Sequence, residues 1–139
     1  TMLIYKTHAE KKSLYNTPPC YSIYIHKLVL EWIKDMGGLK GIAESNREKA
    51  QLIYDFLDQS GLFKGTASKE DRSLMNIPFI LPSDELNARF IKQAGESGLV
   101  NIKGHRSVGG MRASIYNAMP LQGIKKLVEF MKDFESKNR

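Results

Sequence analysis

The segment Gly104-His105-Arg106-Ser107-Val108-Gly109-Gly110-Met111-Arg112 constrains this chain more than any other. It cannot be one regular strand. Successive strand side chains point to opposite faces, so His105 and Arg106 would diverge. Gly104, Gly109 and Gly110 favour a loop, because glycine alone takes up unusual backbone angles without a side-chain penalty. In a loop, His105 and Arg106 can converge on one ligand. Arg112 then opens the next strand at the mouth of the same turn. A guanidinium presents a flat fork of donors that suits carboxylate or phosphate. Two such forks and an imidazole around a Gly-Gly bend suit a small molecule with an anion at each end. The plainer alternative is two surface arginines flanking an ordinary turn.

The rest of the chain reads as alternating helices and short strands. Residues 1–20 read as irregular, with Thr7-His8 and Asn16-Thr17-Pro18-Pro19 marking loop. Ile25, Val29, Trp32, Ile33 and Met36 recur at spacings of three and four, which predicts a helix over 21–36. Gly37-Gly38 stops it. A second helix is expected over 39–60, with Leu39, Ala43, Ala50, Ile53 and Leu57 on its buried face. Its polar stretch, residues 44–49, suits a helix that is partly exposed or bridges two bodies. Residues 75–81 read as a strand, and Pro78 within it suggests an edge or a bulge. Ser83 or Asp84 caps a helix running to about Ser97. Residues 99–102 and 112–116 read as further strands. After Pro120 comes a helix with Leu121, Ile124, Val128 and Met131 in register, and then a polar tail, 135–139, that frays. Trp32, Phe79 and Phe130 are expected in the core. The implied class is α/β, a mixed sheet with helices packed on one side and two further helices feeding it.

Composition narrows the partners. The chain's 139 residues suit one domain at the usual ~100–200 residues per domain. No apolar run approaches the ~20 residues that cross a bilayer, so no membrane span is expected. Cys20 is the only cysteine, so no disulfide can form within the chain, in keeping with a reducing cytoplasm. No Cys/His cluster has metal-ligand spacing, and no metal site is expected. The net charge is +6. The lysines are scattered, though, and no basic strip carries interleaved aromatics of the kind that stack on bases. Nucleic-acid binding therefore rests on charge alone, and it predicts affinity that falls steeply with salt. Asn16 and Thr17 carry an amide and a hydroxyl able to donate to phosphate, just ahead of a helix N-terminus. Taken alone, they read rather as a helix cap with no ligand.

Two separated strings, Ser13-Leu14-Tyr15-Asn16-Thr17-Pro18-Pro19 and Gly104 through Pro120, carry a family resemblance. Over essentially its whole length the chain resembles the C-terminal part of the phosphoserine aminotransferases, pyridoxal-phosphate enzymes of fold type I and class V. The resemblance implies that residues 1–38 are the tail of the large cofactor-binding domain. Residues 39–139 are then the small C-terminal domain with its connecting helix. It implies that His105 and Arg106 bind the substrate phosphate and Arg112 the substrate α-carboxylate. Asn16 and Thr17 reach the phosphate of pyridoxal 5'-phosphate held by the partner subunit of a homodimer. The implied reaction interconverts 3-phosphohydroxypyruvate plus glutamate with phosphoserine plus 2-oxoglutarate, in the cytoplasm. It serves serine synthesis and, for some members, vitamin B6 synthesis.

The family's cofactor-bearing lysine, and the acidic partner of the cofactor's ring nitrogen, belong upstream of the region resembled. Lys103 lies beside the arginine loop but does not match that lysine, and it reads as a surface residue. The chain is therefore expected to be a fragment, inactive alone and without a catalytic residue of its own. The alternative is a free-standing anion-binding or regulatory domain that uses Arg106 and Arg112 without catalysis.

Overall fold

A computed structural model describes residues 1–106 and 109–138. Ser107 and Val108 of the arginine loop, and Arg139 of the expected tail, lie outside the described residues. The chain divides into two compact units, Thr1–Leu39 and Lys40–Arg139.

The first unit holds α1 (Tyr5–Glu10) and α2 (Cys20–Asp35). The short helix α1 falls within the stretch expected to be irregular. Helix α2 begins directly after Pro19, since a proline ahead of the first turn removes an N–H that has no intrahelical partner anyway. It ends as the stop signal requires, with Gly37 at φ 88° and Gly38 at φ 66°. Among the described residues, none in α1 or α2 is buried. The apolar stripe of α2 is therefore real but uncovered within this unit. Trp32 is 37% exposed and takes no part in the core, contrary to expectation.

The second unit carries a helix-on-sheet core. Helix α3 (Gly38–Gln59) leads into β1 (Lys64–Gly65), β2 (Asn76–Ile80), α4 (Asp84–Glu96), β3 (Met111–Ser114) and α5 (Leu121–Ser136). The sheet runs β1-β2-β3. Both described pairings are antiparallel, Lys64 against Ile80 and Asn76 against Ser114 at their ends, so this sheet is not mixed. Strand alternation buries Ile77, Phe79, Met111 and Ala113 against the helices. Phe63 centres the aromatic part of that core, with ring centroids 5.2 Å from Phe90 and 5.6 Å from Phe56. Phe79 is fully buried, as expected, and Phe130 packs at the core's margin. Ser83 caps α4, its hydroxyl accepting the N–H of Leu86 at 3.2 Å. Among the described residues, no helix is long and apolar enough to cross a membrane.

Several expectations need correcting. Pro78 sits in the central strand, not at an edge. Its carbonyl accepts from Thr66, and its nitrogen faces the same side, beyond the end of the two-residue β1, where no ladder donor is needed. Residues 99–102 are a turn, because Gly98 (φ 78°) and Asn101 (φ 59°) take left-handed angles. One bridge, Lys103 to Met111, follows just after that stretch. Leu39 is 85% exposed, one helical turn before the body that begins to be buried at Ile42. The tail does not fray from 135. Glu135 is buried within α5 and accepts the Ser60 hydroxyl and the Gly61 N–H at 2.9 Å each.

Candidate functional site

The described ends of the arginine loop meet at the Lys103–Met111 bridge, where β3 begins. The Gly104 N–H donates to the Gly110 carbonyl at 2.9 Å, and the Gly109 N–H to the His105 carbonyl at 2.8 Å. At the stem, the Arg112 N–H donates to the Ile102 carbonyl at 2.8 Å. The glycines are required by contact as well as by angle. A Cβ on Gly104 would lie 2.1 Å from the Gly109 carbonyl oxygen. A Cβ on Gly110, at φ 59°, would lie 2.6 Å from Ile80 and 2.7 Å from the Phe79 carbonyl. The turn therefore rests directly on the end of β2.

His105 and Arg106 are exposed on this turn. Arg112 lies on β3 between buried Met111 and Ala113, so it projects from the sheet face opposite the core, across from Pro78. It is half-buried, and its Nε is fully buried without a hydrogen-bond partner among the described residues. A buried donor with no partner is rare and marks a place where an acceptor is wanted. The structure thus places His105 and Arg106 on the loop and Arg112 on the strand that the loop leads into. A depression behind Gly109 and Gly110 is lined by Asp84 and Glu85, which disfavours an anion on that side. The Glu85 carboxyl is held below its ordinary range by its own backbone N–H and by the Ser83 hydroxyl, so it stays charged.

Asn16 and Thr17 belong to the first unit, exposed just before α2. The Asn16 amide donates to the Met2 sulfur at 3.2 Å, a weak acceptor that a stronger one displaces. Among the described residues, α2 has no side-chain cap, and the Cys20 N–H donates to the Pro18 carbonyl at 2.8 Å, which leaves the following first-turn N–H groups to an acceptor.

Sequence reasoning missed the polar residues that gather around the C-terminal end of β3. Lys49 ends the polar stretch of α3 that reads as solvated, yet it is 1% exposed. Its ammonium donates to the carbonyls of Ile115, Tyr116, Asn117 and Met119 at 3.3, 2.9, 3.4 and 3.2 Å. Burial pushes its pKa below the ordinary lysine range. Asn46, also buried, donates to the Asn117 side chain at 2.8 Å. The signal lies in the spacing: Ile42, Asn46, Lys49 and Ile53 follow one another at helical intervals on a single stripe. Asn76 was missed as well. Its carbonyl oxygen accepts the Ser114 hydroxyl at 3.0 Å and the Tyr116 hydroxyl at 3.3 Å. By register, it lies on the same sheet face as Arg112.

Known proteins resemble this chain in sequence and fold. The family model described as aminotransferase class-V matches residues 1–127. The chain is 60% identical to a phosphoserine aminotransferase of Bacillus cereus, over all of this chain and 39% of that protein. Against the phosphoserine aminotransferase of Streptococcus suis it is 57% identical, over 99% of this chain and 38% of that one. Among solved structures, the phosphoserine aminotransferase of Bacillus circulans subsp. alkalophilus matches with a TM-score of 0.92 at 50% identity, over 99% of this chain and 38% of that one. The PLP-bound enzyme of the same name from Trichomonas vaginalis matches with a TM-score of 0.83 at 36% identity, over 92% and 37%. The chain spans about two fifths of the length of the relatives it matches.

Proposed function

Because this chain belongs to the aminotransferase class-V family, we propose that it is the C-terminal part of a phosphoserine aminotransferase. The complete enzyme interconverts 3-phosphohydroxypyruvate plus glutamate with phosphoserine plus 2-oxoglutarate, acting as a cytoplasmic homodimer. The observation that carries this reading is 60% identity sustained over the whole chain. A free-standing binding domain is not favoured, because the chain matches a continuous part of much longer enzymes. On this reading, residues 1–38 close the large domain and residues 39–139 form the small one.

The residues present suit pyridoxal 5'-phosphate at one point, its phosphate. Asn16 and Thr17 offer exposed N–H and O–H donors beside an uncapped helix start. In the homodimer these donors hold the cofactor bound to the partner subunit. When bound, that cofactor supplies the electron-withdrawing chemistry by which amino and keto groups exchange. This chain's share is to bind and orient. Arg112 offers its buried donor edge to the substrate α-carboxylate. His105 and Arg106, exposed on the adjoining turn, hold the distal phosphate. Fixing both ends of a short substrate presents its central carbon in one orientation, which is where positioned binding accelerates a reaction.

The test is to express the complete coding region and measure bound cofactor and glutamate formation from 2-oxoglutarate. Phosphoserine should be used at least ~100-fold better than serine, since a site built for phosphate is left with unpaired donors without it. Equal use of both donors would overturn the substrate. Absence of bound cofactor would restore the binding-domain alternative.

A further inference from the structure

The backbone of residues 115–119 forms a cage of carbonyls, and we propose that the Lys49 ammonium fills this cage as a tethered cation, which makes Lys49 the positioning residue for Arg112. The inference rests on the reading of Arg112 as the carboxylate contact.

Four carbonyl oxygens converge on Lys49 Nζ within 3.4 Å. An ammonium has three donors and no acceptor, so the four share it, as they would share a small metal ion. Among the described residues, no carboxylate pairs with Lys49. Its charge is therefore balanced by carbonyl dipoles alone. Burying a lysine in this way is unfavourable unless its donors are fully used.

Beyond Lys49, the caged segment is held at its start by Ile115 and by the Tyr116 hydroxyl on Asn76, while its later residues are exposed. Ile115 is buried, but Tyr116 is 56% exposed and Met119 39% exposed. Asn46 adds a second tether from α3, through Asn117. The segment follows β3 directly; β3 carries Arg112, and its outer side is paired only at its start, by the Lys103–Met111 bridge and the Arg112 N–H bond to the Ile102 carbonyl, among the described residues. The N-terminal end of β3 emerges from Gly109 and Gly110, which bring no side-chain packing. Its C-terminal end is fixed by Lys49 and by the Ile115 N–H, which donates to the Met75 carbonyl at 2.8 Å. Arg112 stands between a glycine end and a clamped end. Loss of the clamp displaces the guanidinium without removing it.

The experiment uses the complete protein. Lys49→Ala should raise KM for glutamate and phosphoserine about tenfold, the loss expected for one charged hydrogen-bonding group, with kcat within about twofold. Methylammonium, supplied in solution, should refill the vacated cage and restore KM. Lys49→Met fills the same space without charge, so it should show the defect and resist rescue. Amide exchange over residues 112–119 reads the same displacement without relying on activity. It should speed up in Lys49→Ala and slow again with methylammonium. If Lys49→Ala does not fold, Asn46→Ala replaces it, with a smaller rise in KM and in exchange. Unchanged KM and exchange, a defect that methylammonium does not reverse, or equal rescue of Lys49→Met would overturn the proposal. Wild-type enzyme without transaminase activity would instead overturn the functional reading and leave the exchange result to judge Lys49.

Discussion

Glu135 Oε1 lies 2.9 Å from the backbone nitrogen of Gly61, joining the end of α5 to the chain that leaves α3. The other carboxylate oxygen accepts from Ser60. The Ser60 hydroxyl oxygen in turn accepts the Phe63 N–H at 2.8 Å, so one carboxylate organises the entry to β1. Glu135 is only 5% exposed, and Glu135→Ala leaves the Ser60 and Gly61 donors without this partner. It should destabilise the chain by about 2–3 kcal/mol, against about 1 kcal/mol for Ser60→Ala. Urea denaturation checks the ranking, and a Glu135→Ala midpoint equal to wild type would contradict it.

The three loop glycines should separate by mechanism. Gly109 has φ 77° but open space where a Cβ would stand, so Gly109→Ala should cost only about 1–2 kcal/mol of backbone strain. Gly104→Ala and Gly110→Ala add contacts of 2.1 and 2.6 Å and should cost more, at least about 2 kcal/mol. Denaturation midpoints of the three variants test the order. A Gly109→Ala variant weaker than the other two would show the turn to be built differently.

Arg72 ties Tyr54 to Asp58. Its guanidinium lies 4.4 Å from the Tyr54 ring centre, and Nη1 donates to Asp58 Oδ2 at 3.0 Å, with a second bond from Nη2. The hydrogen bond from Arg72 holds the Asp58 carboxyl below its ordinary range. Unfolding returns Asp58 to its ordinary 3.8, so the unfolded chain takes up this proton first as pH falls. The contribution is complete above that value and is lost as pH drops through the depressed folded value. The stability gap between wild type and Asp58→Asn should therefore shrink below about pH 4. A gap that stays constant across the acid range would exclude this linkage.

Most of the helices were legible in the sequence because their boundaries carry strong local chemistry. Pro18-Pro19 opens α2 and Gly37-Gly38 closes it, Ser83 caps α4, and Pro120 precedes α5. Short elements were not legible. Strand β1 has two residues, and α1 has no buried stripe. The turn at 99–102 reads as an apolar run, and the left-handed angles at Gly98 and Asn101 reveal it. The arginine loop was legible as a loop because its glycines leave little choice. The cage at the other end of β3 was not, because Asn46 and Lys49 are polar letters in buried positions, and tertiary contacts with a distant segment decide where they lie.

The division of labour between Arg106 and Arg112 is the central claim, and kinetics of the complete enzyme test it most directly. Arg112→Ala should lower kcat/KM for glutamate and phosphoserine alike, by about 10- to 100-fold, the range for one charged hydrogen-bond partner. Arg106→Ala should lower kcat/KM for phosphoserine by a similar factor and leave glutamate within about threefold. Phosphoserine kinetics unchanged in both variants, or a loss for glutamate equal in both, would contradict the assignment.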